Sequence, residues 1–342
     1  MRILVGLTVT AVTAAAAAYA FSPRGTPPLQ PTRVAVERMH INTLARSAGG
    51  LVAGGEGGHI LYSADQGRHW RDAGMAAQRH ALITQIVFAG NRTGIAVGHE
   101  GWILRSEDGG ASWQEVAFDA DGGEPLMSVA RLPAGQWLAV GAFGRVMRSD
   151  DDGRHWQKIS LAGVEDRHLN RIVGAPDEHH WLIVGERGLV LRSDDGGQNW
   201  RTTPPFYNGS FYGAIALGQD DWLVYGMRGH VYRSTADAGS EPQWTQVPLP
   251  ATASLFGSAR TPEGHLLLAG QNGMVFDSAD DGRHFTVARG GARATFTDLL
   301  RSPDGWLLAS DIGLTLKTAQ FANAANAIPP AGAGRPASGA PQ

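Results

Sequence analysis

Three sets of residues in this chain could do chemistry. The first is a series of acidic turns, of which Asp150-Asp151-Asp152-Gly153 is the densest. Clustered carboxylates suggest calcium. A calcium loop of the EF-hand kind, however, spaces its carboxylates and closes with a Glu at the twelfth position, and that pattern is absent. The second set is the histidines. His69, His155 and His284 share one position inside the acidic turns, whereas His80, His99 and His168 lie outside them. None forms the close H-x-x-x-H type of pair that zinc sites use, so neither a metal nor a cofactor is expected. The third set is ionic: Arg105, Arg148, Arg192 and Arg233 each directly precede a Ser that opens an acidic turn. Such a row could grip an acidic partner segment, or pair with carboxylates of neighbouring turns. Glu56, Glu100, Glu186 and Asp311 also occupy equivalent places, and a glycoside hydrolase would need two such carboxylates facing one another.

What positions these residues is a repeat, S-x-D-x-G-x-x-W. Its copies are Ser63-Asp65-Trp70, Ser106-Asp108-Trp113, Ser149-Asp151-Trp156 and Ser193-Asp195-Trp200, with Ser278-Asp280-Phe285 carrying Phe in place of Trp. A damaged copy spans Ser234 to Trp244. The serines at 63, 106, 149, 193, 234 and 278 are 43, 43, 44, 41 and 44 residues apart. A seventh register, Leu307 to Thr318, aligns with Leu267 to Ser278 but lacks the acidic turn. Periods of about 40–50 residues built of short strands indicate propeller blades. Glycine, 46 of 342 residues, runs at roughly twice the usual share, as hairpin-rich blades require. Third strands such as Ile103-Leu104 and Val190-Leu191 are apolar at successive positions. Successive side chains point to opposite faces, so both faces must be covered. The expectation is an all-β, seven-bladed β-propeller of four-stranded blades over residues 33–319, with Thr32–Met39 supplying the last outer strand and tying the ends together. In each acidic turn the Asp is expected to accept backbone N–H groups and the Trp to pack beside it, so these turns specify the fold.

One face would carry the acidic turns. The other would collect the G-x-x-G hairpins between second and third strands and the connections between blades. Candidate partner-binding residues on that second face are Arg79, His80, His99, Glu100, Arg167, His168, Glu186, Arg187, Tyr207, Tyr212, Arg228 and Arg293. A rim that mixes charge with aromatics suits recognition of a polypeptide.

The ends and the composition narrow the function. Arg2 followed by an uncharged apolar stretch to Ala18, then Ala18-Tyr19-Ala20, reads as an export signal over 1–20, or as an uncleaved anchor. A Pro-rich linker (21–32) and an Ala/Pro/Gly-rich tail (320–342), expected to be flexible, flank the ring. There is no Cys, so the core alone must stabilise the exported protein. A net charge of −3 gives no support for nucleic-acid binding. A self-closing ring is expected to be monomeric.

With these motifs the chain resembles the photosystem II stability/assembly factor family of Asp-box (BNR-type) seven-bladed propellers, over about residues 33–319. The resemblance implies a non-catalytic assembly factor that binds a membrane-protein segment through an arginine-rich patch, for which Arg105, Arg148, Arg192 and Arg233 are the nearest match. The signal and the Ala- and Gly-rich composition point to a non-photosynthetic bacterial relative. For such relatives the resemblance implies a periplasmic role serving envelope complexes such as transporters of the resistance-nodulation-division type. The alternative is a glycan-binding protein or glycoside hydrolase of the sialidase-like propeller type. Against it, the F/Y-R-I-P string usual in sialidases is missing.

Overall fold

The computed structural model describes residues 2–22, 35–36, 38–90, 92–119, 121, 123–164, 166–218, 220–235 and 241–317. Most of the linker, the whole tail and the centre of the damaged repeat copy lie outside the described residues. Two units are distinct, Met1–Val34 and Ala35–Gln342. Among the described residues the first holds the helix α1 (Arg2–Ala20), in which Thr8, Thr10 and Thr13 turn their hydroxyls onto carbonyls four residues back. Among the described residues no helix is long and apolar enough to cross a membrane.

The second unit is a seven-bladed β-propeller, each blade an antiparallel meander with its strands in chain order. The first strands are Ile41–Arg46, Ile83–Ala89, Leu126–Arg131, Leu169–Gly174, Phe211–Ala216, Leu255–Arg260 and Phe296–Ser302. Second strands such as Leu51–Gly55, Trp137–Gly141 and Leu266–Gly270 are buried along their whole length, because a neighbouring blade covers each face. Ile95, Val97 and Ile103 of the second blade, for example, pack against Leu126, Val129 and Trp137 of the third. Third strands are covered in the same way at Ile60-Leu61, Ile103-Leu104 and Val190-Leu191. The seventh blade differs. Among the described residues it has three strands, and Thr315 on the third is exposed. Another irregularity was not foreseen: after Arg71–Asp72 the chain crosses to the second blade, where Gly74–Met75 pairs in parallel with Ser112–Trp113.

Every first strand carries a β-bulge between its first and third residues. A bulge leaves a residue unpaired and re-aims its side chain. Here it supports bonds between blades. Asn42 Nδ2 donates to the Ile83 carbonyl (2.8 Å), Thr84 Oγ1 to Leu126 (2.6 Å), Asn170 Nδ2 to Phe211 (2.7 Å) and Thr297 Oγ1 to Ile41 (2.5 Å). One residue further on, Thr43, Gln85, Ser128 and Asp298 accept the N–H groups of Ile86, Val129, Ile172 and Leu44 of the next blade. Two of these bonds, from Thr297 and to Asp298, join the last blade to the first. Arg68 with Asp304 (2.8 Å) and Ser302 Oγ with the Gln66 carbonyl (3.0 Å) add to the seam. Of the segment expected to add the outer strand, Val36 accepts the N–H of Leu314 (3.1 Å); Thr32, Arg33, Val34 and Glu37 lie outside the described residues.

Candidate partner-binding face

On one face the S-x-D-x-G-x-x-W hairpins are self-contained. In the third blade Ser149 Oγ donates to Asp151 Oδ1 (2.9 Å) and accepts the Gly153 N–H (2.9 Å). Asp151 Oδ1 also accepts the His155 N–H (2.9 Å), and Trp156 Nε1 donates to the Gly153 carbonyl (3.0 Å). Trp70, Trp113 and Trp200 make the same ring-to-carbonyl bond, which Phe285 cannot. The backbone N–H groups of His69 and His155 hold the Asp65 and Asp151 carboxyls well below the usual carboxylate range.

The four arginines of the row on that face are bonded to groups of the ring. Arg105 is 7 % exposed; it donates to the Asp152 carbonyl (2.7 Å) and carboxylate (3.0 Å) of the next blade. Arg192, 2 % exposed, meets Asp220 (2.5 Å) and Asp194 (3.4 Å). Arg233 donates to the Asp281 carbonyl (3.1 Å), and Arg148 pairs with Asp150 (3.1 Å). His180, Asp194 and Asp220 offer one ligand atom each within 4.8 Å of one another, but the Arg192 guanidinium already lies on both carboxylates.

The opposite face is built by the G-x-x-G hairpins. In Gly141-Ala142-Phe143-Gly144 a Cβ on the first glycine would lie 2.0 Å from the Pro125 carbonyl oxygen, the same oxygen that accepts the Ala142 N–H (2.8 Å). The first strand crosses there, so only glycine fits. The third hairpin residue is left-handed: φ is 57° at Glu100, 50° at Phe143, 53° at Arg187, 56° at Arg228 and 58° at Asn272, with glycine at 57. All five of these residues are exposed, and the left-handed conformation costs roughly 1–2 kcal/mol for a residue with a Cβ. Phe143 is 57 % exposed and leans on His168, with 4.7 Å between rings. Ile312, 58 % exposed, sits at the corresponding turn of the seventh blade.

The candidate residues on this face divide sharply. Arg79 is bidentate to Glu115 (2.8 and 2.7 Å) and lies over Phe118, so it is a structural clamp. His168 approaches Glu186 at 3.9 Å. The Tyr207 hydroxyl meets His230 Nδ1 at 3.2 Å, and burial pushes its pKa up. Burial also lowers the pKa of His99. His80 and Glu100 are exposed. Arg167 is half-buried, and Arg187, Arg228 and Arg293 are exposed; none of the four guanidiniums has an acidic partner within 4 Å among the described residues. Tyr212 stacks on Phe256 (5.2 Å, 23°) on this face. Phe256 and Met127 went unnoticed in the sequence, although aligning the second residues of the first strands would have found them.

The axis itself is polar. Asp298, Arg171 and Gln85 are equivalent first-strand residues on different blades. Burial pushes the Asp298 carboxyl up to about 6 although Arg171 and the N–H groups of Leu44 and Leu299 pull the other way. Arg171 and Gln85 also line a cavity of about 610 Å³, with Arg131, Glu178 and Trp181.

A sequence model of the family described as photosynthesis system II assembly factor YCF48 matches residues 76–175 and 108–310. The chain belongs to this family. Solved structures agree on the fold. One described as YCF48 bound to D1 peptide is 18 % identical, covers 85 % of this chain and 94 % of that one, and superposes with a TM-score of 0.65. YCF48 from Cyanidioschyzon merolae is 14 % identical over 82 % of this chain and 95 % of that one, TM-score 0.63. A GH74 enzyme from Niastella koreensis is 16 % identical over 82 % of this chain but 52 % of its own, TM-score 0.63. No curated protein matches. Arg79 and the row on the opposite face are bound to other groups, whereas Arg167, Arg187, Arg228 and Arg293 of the G-x-x-G face have no acidic partner within 4 Å among the described residues.

Proposed function

We propose that this protein is an exported, non-catalytic scaffold that captures a segment of a membrane protein or envelope complex on its G-x-x-G face. The observation that carries the reading is the set of arginines on this face that lack an acidic partner among the described residues. The row Arg105, Arg148, Arg192 and Arg233 is tied to carboxylates and carbonyls, whereas Arg167, Arg187, Arg228 and Arg293 have no acidic partner among the described residues and share their face with exposed Phe143 and half-buried Tyr212 and Phe256. Unpaired arginine and aromatic side chains are the typical anchors of protein interfaces. A family relative solved with a peptide from a named protein supports a polypeptide partner. The helix Arg2–Ala20 ending in Ala18-Tyr19-Ala20 supports export to the periplasm. Envelope complexes such as resistance-nodulation-division transporters are the partner class to examine first.

The hydrolase reading rests on fold likeness to the GH74 enzyme alone. Two of the four hairpin carboxylates have local duties, Glu186 facing His168 and Asp311 accepting the Thr295 N–H (2.8 Å), whereas Glu56 and Glu100 are exposed. The test is affinity purification of the tagged protein from detergent-solubilised envelopes, with mass spectrometry of the co-purifying proteins. A reproducible membrane protein that is lost on R187E/R228E charge reversal is the expected result. Recovery of the ring alone would refute the reading.

A further inference from the structure

The second residue of each first strand lies where neighbouring first strands meet, at the end beside the G-x-x-G hairpins. In four blades that residue is Asn42, Thr84, Asn170 or Thr297, and its side chain is spent on a carbonyl of the next blade. In the fifth and sixth blades it is Tyr212 and Phe256, which stack on each other instead. The ring is therefore closed by hydrogen bonds around part of this end and open as a half-buried aromatic shelf in one sector.

Two hairpin tips are pinned beside that shelf. The tip bearing Arg187 is held by the Gly188 N–H on the Gly209 carbonyl (2.6 Å), just before the strand that carries Tyr212. The tip bearing Arg228 is held by its own N–H on Ser254 Oγ (3.0 Å), just before the strand that carries Phe256. Arg228 is close enough to act electrostatically on Tyr207, as is Tyr212. Stacked rings and two pinned tips whose guanidiniums have no acidic partner among the described residues form one chemically coherent sector.

We infer that this sector is a subsite for an aromatic side chain carried on an extended, acidic peptide segment. The guest ring would lie against Tyr212 and Phe256, and carboxylates on either side of it in the guest would meet Arg187 and Arg228. Charge complementarity selects this occupant: the two nearest tips are cationic, and a planar ring matches a stacked pair. The inference rests on the scaffold reading and specifies the chemistry of its partner.

The probe is a fluorescein-labelled synthetic peptide of about ten residues with a central tryptophan flanked by aspartates; the control has alanine for the tryptophan. Binding to the full chain is read by fluorescence anisotropy at low and moderate salt. Wild type should prefer the tryptophan peptide by about tenfold, from stacking plus buried apolar area. Y212A, or F256L if Y212A proves unstable, should erase that preference. R187G/R228G should weaken both peptides and flatten the salt dependence. Equal binding of the two peptides to wild type, or binding of neither, overturns the subsite. The scaffold reading falls separately, if wild type recovers no membrane protein from envelopes; if Y212A and F256L recover the wild-type partner at wild-type yield, only the subsite falls.

Discussion

Arg187 and Arg228 hold left-handed backbone at hairpin tips, with φ of 53° and 56°. A Cβ there costs roughly 1–2 kcal/mol. Glycine removes that cost and adds about 0.5–1 kcal/mol of unfolded-state entropy. Each Arg→Gly change is therefore expected to be neutral to about 1.5 kcal/mol stabilising. Gly57 already occupies the same register in the first blade, so glycine fits the turn. Neither arginine has an ion-pair partner to lose among the described residues. For a domain of this size, R187G/R228G should hold or raise Tm, by no more than about 2–4 °C per kcal/mol. The adjacent glycine is the counter-test. A Cβ on Gly188 would lie 2.0 Å from the Tyr207 carbonyl oxygen, so Gly188→Ala must displace backbone. It should lower Tm markedly, by the equivalent of about 2–3 kcal/mol. Calorimetry of both variants, with envelope capture run in parallel, separates fold from function: R187G/R228G should fold and fail to capture. A fall of more than about 3 °C in its Tm would refute the claim that these side chains cost the fold more than they give it.

Three further outcomes follow from the same geometry. Gly141→Ala should destabilise by about 2–3 kcal/mol in urea titration, because its Cβ would meet the Pro125 carbonyl at 2.0 Å. Asp108→Ala should lower Tm by about 2–6 °C, since Asp108 accepts the Ser112 N–H (3.0 Å) and two hydroxyls, and hydrogen bonds at an exposed turn are individually modest. Asp298, pushed up to about 6, contributes stability that is full below its unfolded value near 4 and lost as pH rises through about 6. Wild type should therefore lose up to about 3 kcal/mol relative to D298N between pH 4 and pH 7.5. The lowered Asp65 and Asp151 act with the opposite sign, losing their contribution as pH falls below about 4. A D298N variant with the same pH profile as wild type would show that the axial carboxyl is not the group responsible.

How much could be read from the chain follows from how local each feature is. The S-x-D-x-G-x-x-W hairpin bonds only within itself, Ser149 to Asp151 to His155, so its pattern is written in eight consecutive residues. Repeating it at a near-constant period dictates blades, and seven registers dictate the ring, because each blade needs a neighbour on both faces. The G-x-x-G hairpins were equally legible as turns. Their reason was not: the first glycine answers to a carbonyl such as Pro125 that lies more than a dozen residues earlier in the chain. The arginine row shows the limit most clearly. Sequence placed Arg105 before its Ser and left two roles open, and only the next blade, by bringing Asp152 to its guanidinium, assigns one. Arg79 likewise looked available until Glu115 came within 2.7 Å.

The sequence by itself determined the repeat, the strand order within a blade and the residues at each hairpin tip, since all of these depend on neighbours along the chain. The tertiary structure decided which charges are spent and which remain. It also brought Tyr212 to Phe256 and Asp298 to Leu44, contacts made across blade boundaries 44 and 254 residues apart in the chain. Only closing the ring sets those distances, because a blade's first strand has no inner neighbour until the blades beside it are in place.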